Sequence, residues 1–244
     1  MYIETPFYVF PSALTSDECD KIISLGLSKE PEEAETMNLK HKGANKHIQQ
    51  ADKTTQQLQK ELGKNIDEIN PLVRDSSISW LNDVWIYNRI YPFVVEANEK
   101  AGWNYDFESA EDLQFTTYQN GGFYGWHRDC GGCHKSAYLK NVPDEKKIKG
   151  KEKYYTTNDD LVGKIRKLSL TMNLSKPEDY EGGNLKFDWG DHQHSNRLYE
   201  CKEIRPQGSI VVFPSFWYHQ VTPVTKGKRH SLVCWVLGAP FRWK

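Results

Sequence analysis

The chain is predicted to be an α+β protein, mainly β, with an N-terminal helical layer packed on a β-sandwich or barrel. Three observations carry this. Residues 82–101 are spaced as a helix, with Val84, Trp85, Ile90, Val94 and Ala97 apolar. From about residue 111 the pattern changes to short segments separated by turns. Within that half, KLSLTMNL (167–174) alternates, with Leu168, Leu170, Met172 and Leu174 on one face and Ser169, Thr171 and Asn173 on the other. Helices followed by a run of strands pack as separate layers.

Taken in order, FYVF (7–10) reads as a strand. Thr15 with Glu18 three residues on is a capping box, so a helix follows, with Cys19, Ile22, Ile23 and Leu27 on one face and Gly26 and Ser28 near its end. Residues 29–60 are polar with weak periodicity and read as loop or exposed helix. SSISWL (76–81) alternates as a strand. In the helix of 82–101, Pro92 should kink the helix or open a second one. Strands are then expected at 113–118, 122–129, 167–174, 183–189, 209–214, 217–224 and 229–237. Residues 134–165 interrupt them as a hydrophilic insertion, a lid or surface loop. The whole of 1–244 is read as one domain, with 1–110 as helix-rich support and 111–244 as the core.

Composition narrows the function classes. With 38% apolar and 27% charged residues the chain is globular, and a formal charge of −1 disfavours a nucleic-acid or membrane-surface binder. The basic run at 146–151 neighbours Asp144, Glu145 and Glu152 and reads as a solvated loop. Five cysteines without a framework fit a reducing compartment. MYIETPFYVFPS lacks a basic n-region and carries Glu4, so it is a poor signal peptide, and no apolar run approaches the roughly 20 residues of a membrane span. The expected location is cytoplasmic.

The chemistry concentrates in GWHRDCGGCH (125–134), where two metal grammars overlap. His127 and Asp129, at i and i+2 of a strand, share a face and offer two ligands to one ion; a facial triad needs a second histidine. His219 stands out among the eight histidines because HQVTPVTKGKRHS follows it. This stretch reads as a hairpin turning at Lys226-Gly227-Lys228, with His219 and Arg229 on antiparallel neighbours. Arg229, Ser231, Val233 and Trp235 then share a face by period two, and an arginine fork with a hydroxyl suits a carboxylate. The second grammar is Cys130-x-x-Cys133-His134, the spacing of an attached haem. A haem there would collide with the first site, and zinc would lack a fourth ligand. A glycine-rich turn carrying incidental thiols is preferred, with a haem- or zinc-binding module as the remote alternative. DHQH (191–194) reads as an exposed turn.

Tyr118-x-x-Gly121-x-x-Tyr124-x-x-His127-x-Asp129, then His219, Arg229 and Ser231, together resemble the iron(II)/2-oxoglutarate dioxygenases, in their prolyl 4-hydroxylase-like branch of bacterial and phage type. RKLSLTMNLS (166–175) and YEGGNLKF (180–187) are similar to its barrel strands; residues 29–70 and 134–165 are not matched. The resemblance implies a double-stranded β-helix, or jelly roll, of cupin-like form with helices outside. It implies Fe(II) held by His127, Asp129 and His219. It implies 2-oxoglutarate as co-substrate, its far carboxylate on Arg229 and Ser231 and Tyr118 in contact with it. Tyr124 and Trp235 would line the substrate pocket, O2 would be consumed, and ascorbate would serve as reductant. The implied reaction hydroxylates a C–H bond of a peptidyl proline or similar residue, releasing succinate and CO2. A small molecule, lipid or nucleobase is the alternative substrate, and a catalytically dead recognition jelly roll is disfavoured by the intact triad and clamp. Asp129 disfavours halogenation, because related halogenases lack that carboxylate.

Overall fold

The computed structural model describes residues 5–33, 74–130, 137–148, 151, 155–188 and 198–241. Strand β1 (Tyr8–Phe10) leads into helix α1 (Ser16–Ser28). The Thr15 hydroxyl accepts from the Glu18 N–H at 3.2 Å, and the Glu18 carboxylate accepts from the Thr15 N–H at 2.8 Å. This reciprocal box satisfies donors that would otherwise be orphaned at the helix start. Helix α1 buries Cys19, Ile22 and Gly26. Glycine is required at 26 by close packing, since a Cβ there would lie 2.3 Å from the Phe115 ring.

Strands β2 (Glu32–Glu33), β3 (Arg74–Asp75) and β4 (Ser77–Leu81) precede helix α2 (Val84–Lys100). Pro92 neither breaks α2 nor starts a new helix. Both Pro92 and Asn88, whose carbonyl loses its helical donor, are on the exposed side, so water can satisfy that carbonyl. The opposite side buries Ile86, Ile90, Val94 and Ala97, and each large apolar side chain there contributes about 1.5–3 kcal/mol. That stripe holds the helix through the proline.

The remaining strands are β5 (Ser109–Ala110), β6 (Leu113–Tyr118), β7 (Phe123–His127), β8 (Leu139–Lys140), β9 (Tyr155–Thr156), β10 (Ile165–Asn173), β11 (Tyr180–Gly182), β12 (Leu185–Asp188), β13 (Leu198–Glu200), β14 (Ile210–Pro214), β15 (Tyr218–Val221), β16 (Val224–Gly227) and β17 (Arg229–Gly238). A large sheet runs β1-β14-β10-β17-β6-β4-β2 with β5 beside β17, and a five-stranded sheet runs β13-β12-β15-β7-β3. Every pairing in these two sheets is antiparallel, giving the expected jelly roll. In the insertion, β8 and β9 form a separate parallel pair.

The large sheet is covered on both faces. Leu168, Leu170 and Met172 of β10 join Ile22, Ile86, Ile90 and Val94 in the core beneath the helices. Val211 and Phe213 of β14 pack instead on Leu185 and Phe187 of β12, between the sheets. Among the described residues no helix is long and apolar enough to cross a membrane.

One expectation is overturned. His219 and Arg229 do not lie on paired strands: β15 belongs to the five-stranded sheet, between β12 and β7, and β17 to the large sheet, between β10 and β6. Pro223, lacking an N–H, ends β15, and β16 pairs with β11 instead. Gly227 then turns the chain at φ +77, where a Cβ would meet the Asp179 carbonyl oxygen at 2.0 Å. Lys226-Gly227-Lys228 is therefore a corner between sheets, and His219 and Arg229 come from opposite walls of the sandwich.

Candidate active site

His127 closes β7, and its register partner on β15 is His219, whose partner on the other side is Phe187. Antiparallel partners emerge on the same face, so register alone brings the imidazole centroids to 4.1 Å. Phe213 meets the His219 ring edge-on at 4.7 Å and restrains it.

Asp129 lies beyond the end of β7, so strand periodicity does not orient it as expected. The next residue anchors the turn: the Cys130 N–H donates to the Ser215 carbonyl at 2.9 Å. The Ser169 hydroxyl then donates to Asp129 Oδ2 at 2.6 Å and lies 2.9 Å from the Ser215 hydroxyl. Both serines are fully buried.

Nδ1 of His127 is 2.8 Å from the Gly125 carbonyl, and Nδ1 of His219 is 3.0 Å from the Trp217 carbonyl. A carbonyl only accepts, so each Nδ1 carries the proton and each Nε2 offers a lone pair. Each Nε2 is 3.6 Å from one oxygen of Asp129, and the three residues' ligand atoms all lie within 4.8 Å of one another. Burial, reinforced by neighbouring His127, lowers the His219 pKa to about 4. Burial works against the charge of Asp129, but His219, His127 and Arg166 outweigh it and hold the carboxyl well below the usual range. Two imidazoles that present Nε2 and an ionised carboxylate are a donor set that a divalent first-row metal takes.

These three groups line a cavity of about 440 Å3, counting its open mouth. Arg229, Ser231, Val233 and Trp235, at alternate positions of β17, line it too, with Thr171 from β10 and Tyr118 from β6. Arg229 is 2% exposed, and its Nη1 is buried without a hydrogen-bond partner. Its guanidinium carbon lies 5.5 Å from the Tyr118 ring, its register partner on β6. Gly183 makes room for it: at φ +60, a Cβ there would lie 2.9 Å from Arg229 Cδ. A buried guanidinium with an unpaired donor is a site prepared for an anion.

Tyr124 stacks on His127 with ring centroids 3.4 Å apart, and burial pushes its phenol up to about 12. Trp235 is 5% exposed, with the Arg166 guanidinium 3.7 Å from its ring. Sequence reasoning missed Ser169 as a support for Asp129, although it stands on the polar face of β10. It also missed Arg74, which opens β3 opposite Tyr124 and lines the same cavity. Of the second metal grammar, Cys130 packs among Ala137, Ile165 and Phe241, while Cys133 and His134 lie outside the described residues, as does the 191–194 stretch.

The profile of the 2OG-Fe(II) oxygenase superfamily matches residues 113–237, just over half of the chain. The chain is 42% identical over 73 residues to a PKHD-type hydroxylase of Hyphomonas neptunium (strain ATCC 15444), covering 30% of this chain and 29% of that protein. It is 33% identical over 122 residues to a PKHD-type hydroxylase of Psychrobacter sp. (strain PRwf-1), covering 50% and 36%. It thus spans about a third of the length of these curated relatives. The fold is similar to that of the viral collagen prolyl hydroxylase of Paramecium bursaria Chlorella virus-1 in its 2OG complex, with TM-score 0.55 and 16% identity over 97% of this chain and 98% of that one. It is also similar to a Pseudomonas putida prolyl-4-hydroxylase, with TM-score 0.52 and 16% identity over 98% and 95%. The profile begins at β6 and ends in β17, neighbouring strands that both line the cavity, and the chain belongs to the 2OG-Fe(II) oxygenase superfamily.

Proposed function

We propose that residues 1–244 act as a single catalytic domain that hydroxylates a C–H bond, with a prolyl or similar residue of a peptide as substrate. The observation that carries this reading is the convergence of two Nε2 lone pairs and one carboxylate on a single point, in one cavity with an unpaired buried guanidinium. His127, Asp129 and His219 would hold Fe(II), while Arg229 and Ser231 would take the far carboxylate of 2-oxoglutarate. When bound, this pair with O2 supplies the oxidising equivalent, 2-oxoglutarate leaving as succinate and CO2, with ascorbate as reductant. Everything else is the work of the chain. The Gly125 and Trp217 carbonyls hold the Nδ1 protons and so turn Nε2 of each imidazole toward the metal position. Ser169 holds Asp129 by one oxygen. Tyr118 flanks the clamp, and Tyr124 and Trp235 form the apolar walls against which a substrate ring would lie. The similarity to PKHD-type hydroxylases and the shared fold with prolyl hydroxylases favour the prolyl-like substrate.

The test is succinate release from Fe(II)-loaded protein given 2-oxoglutarate, ascorbate and prolyl peptides. Substrate-dependent succinate, lost in His219→Ala, is expected. Absence of any 2-oxoglutarate turnover would refute the assignment.

A further inference from the structure

Among the described residues, Arg74 is a buried cation without a counter-charge. It is 7% exposed and lies on the cavity wall, yet none of the ion pairs among the described residues includes it. Its hydrogen bonds go to neutral acceptors: Nε donates to Ser76 Oγ at 2.8 Å, and Nη2 donates to Gln114 Oε1 at 2.8 Å and Thr116 Oγ1 at 3.1 Å. The Tyr124 ring covers one face at 4.5 Å. Nη1 makes no hydrogen bond to a described residue. These contacts fix the guanidinium between the two sheets and leave its charge whole.

Arg166 is the contrast. It is half-buried, 21% exposed, and Glu111 neutralises it in a two-pronged pair at 2.6 and 2.5 Å. Arg229, whose Nη1 is buried without a partner, resembles Arg74 in having no ion pair among the described residues, and the proposed function assigns it to the co-substrate. Chelation at the metal uses one carboxylate of 2-oxoglutarate, so a single carboxylate remains for a single arginine. A divalent ion, Asp129, Arg229 and the doubly negative co-substrate then sum to no net charge. Arg74 is left over, and an uncompensated buried charge is costly.

We infer that Arg74 anchors a carboxylate of the substrate. The inference rests on the proposed function and narrows it to substrates carrying an anionic group near the reacting carbon. That group is either the α-carboxylate of a free amino acid or an acidic side chain beside the target residue in a peptide. Position supports this. Tyr124 lies between Arg74 and His127, stacked 3.4 Å from the imidazole, so Arg74 stands one aromatic ring from a ligand of the proposed metal. Arg229 projects from the opposite sheet, so the two guanidiniums serve different molecules.

The experiment loads the full chain with Fe(II) and 2-oxoglutarate without oxygen and follows perturbation of the chelate's visible absorbance. One arm titrates each proteinogenic L-amino acid against its own carboxamide. The other titrates the capped tripeptide Ala-Pro-Glu against Ala-Pro-Gln. At least one carboxylate should bind about tenfold or more tightly than its amide, and the arm in which this occurs identifies the source. Arg74→Gln should erase that preference while shifting 2-oxoglutarate affinity by less than about threefold, and Arg74→Lys should keep part of it. The comparison within the unaltered chain needs no variant to fold. The inference is overturned if no carboxylate outbinds its amide in either arm. It is equally overturned if the preference survives Arg74→Gln, or if that variant loses 2-oxoglutarate as Arg229→Gln does. If the unaltered chain forms no chelate absorbance at all, the oxygenase reading itself has failed, which is a separate result.

Discussion

Ser169 and Gly183 show how little of the site's precision resides in the proposed ligands themselves. The Ser169 hydroxyl occupies Asp129 Oδ2 at 2.6 Å, which orients the carboxylate and strengthens the case for one-oxygen binding of a metal. Ser169→Ala should weaken Co(II) or Fe(II) binding by about 10–100-fold in calorimetric titration, and Ser169→Thr should restore most of it. Gly183 acts on the other partner. Its φ of +60 and the 2.9 Å approach of a built Cβ to Arg229 Cδ mean that Gly183→Ala strains the backbone and pushes the guanidinium aside. About a tenfold loss of 2-oxoglutarate affinity with metal affinity retained is expected, and a parallel loss of both would contradict this local account. The candidate ligands His127, Asp129 and His219 could be picked out in the sequence because Tyr118, Gly121 and Tyr124 precede the first two and Arg229 and Ser231 follow the third. Ser169 and Arg74 could not, because a buried polar side chain announces itself only once its neighbours from distant strands are known.

At the scale of elements, periodicity located β10 and both described helices to within a few residues, because each has a continuous apolar face and one carries a capping box. It failed where connection mattered. HQVTPV looked like the arm of a hairpin, yet Pro223 divides it into β15 and β16, which pair in different sheets. Alternation says that a segment is extended; it does not say which neighbour supplies the hydrogen bonds. Pro92 opens no second helix, and its cost depends on whether the freed carbonyl faces water or protein. It faces the exposed side of α2 while the buried stripe holds the helix. Pro92→Ala should therefore restore a donor without disturbing the core and raise stability by about 1–2 kcal/mol, measured by urea unfolding. A loss of stability would mean that the proline is needed for the helix's packing against β1 and β14.

Over the whole molecule, folding and metal binding draw on the same protonation states. His219 titrates at about 4 in the fold, against an ordinary histidine value near 6.5. Between those values the unfolded chain holds a proton that the native chain does not, so the metal-free protein must lose stability as pH falls from about 6.5 to about 4. His230, also lowered by burial, adds to the same trend. Asp129, held below the usual carboxylate range, contributes stability at neutral pH that is lost as pH falls through its depressed native value. A divalent ion bound only by the native state then adds about 2.7 kcal/mol at a hundredfold excess over its Kd. Protons compete for the same Nε2 and carboxylate atoms, so this increment must shrink on acidification. Thermal unfolding with and without Co(II) at pH 7.0, 5.5 and 4.5 reads both effects. The metal-free Tm should fall across the series and the Co(II) shift should contract with it, while Asp129→Ala should show little Co(II) shift at any pH. A Co(II) shift of constant size from neutral to acid pH would place the ion on other groups.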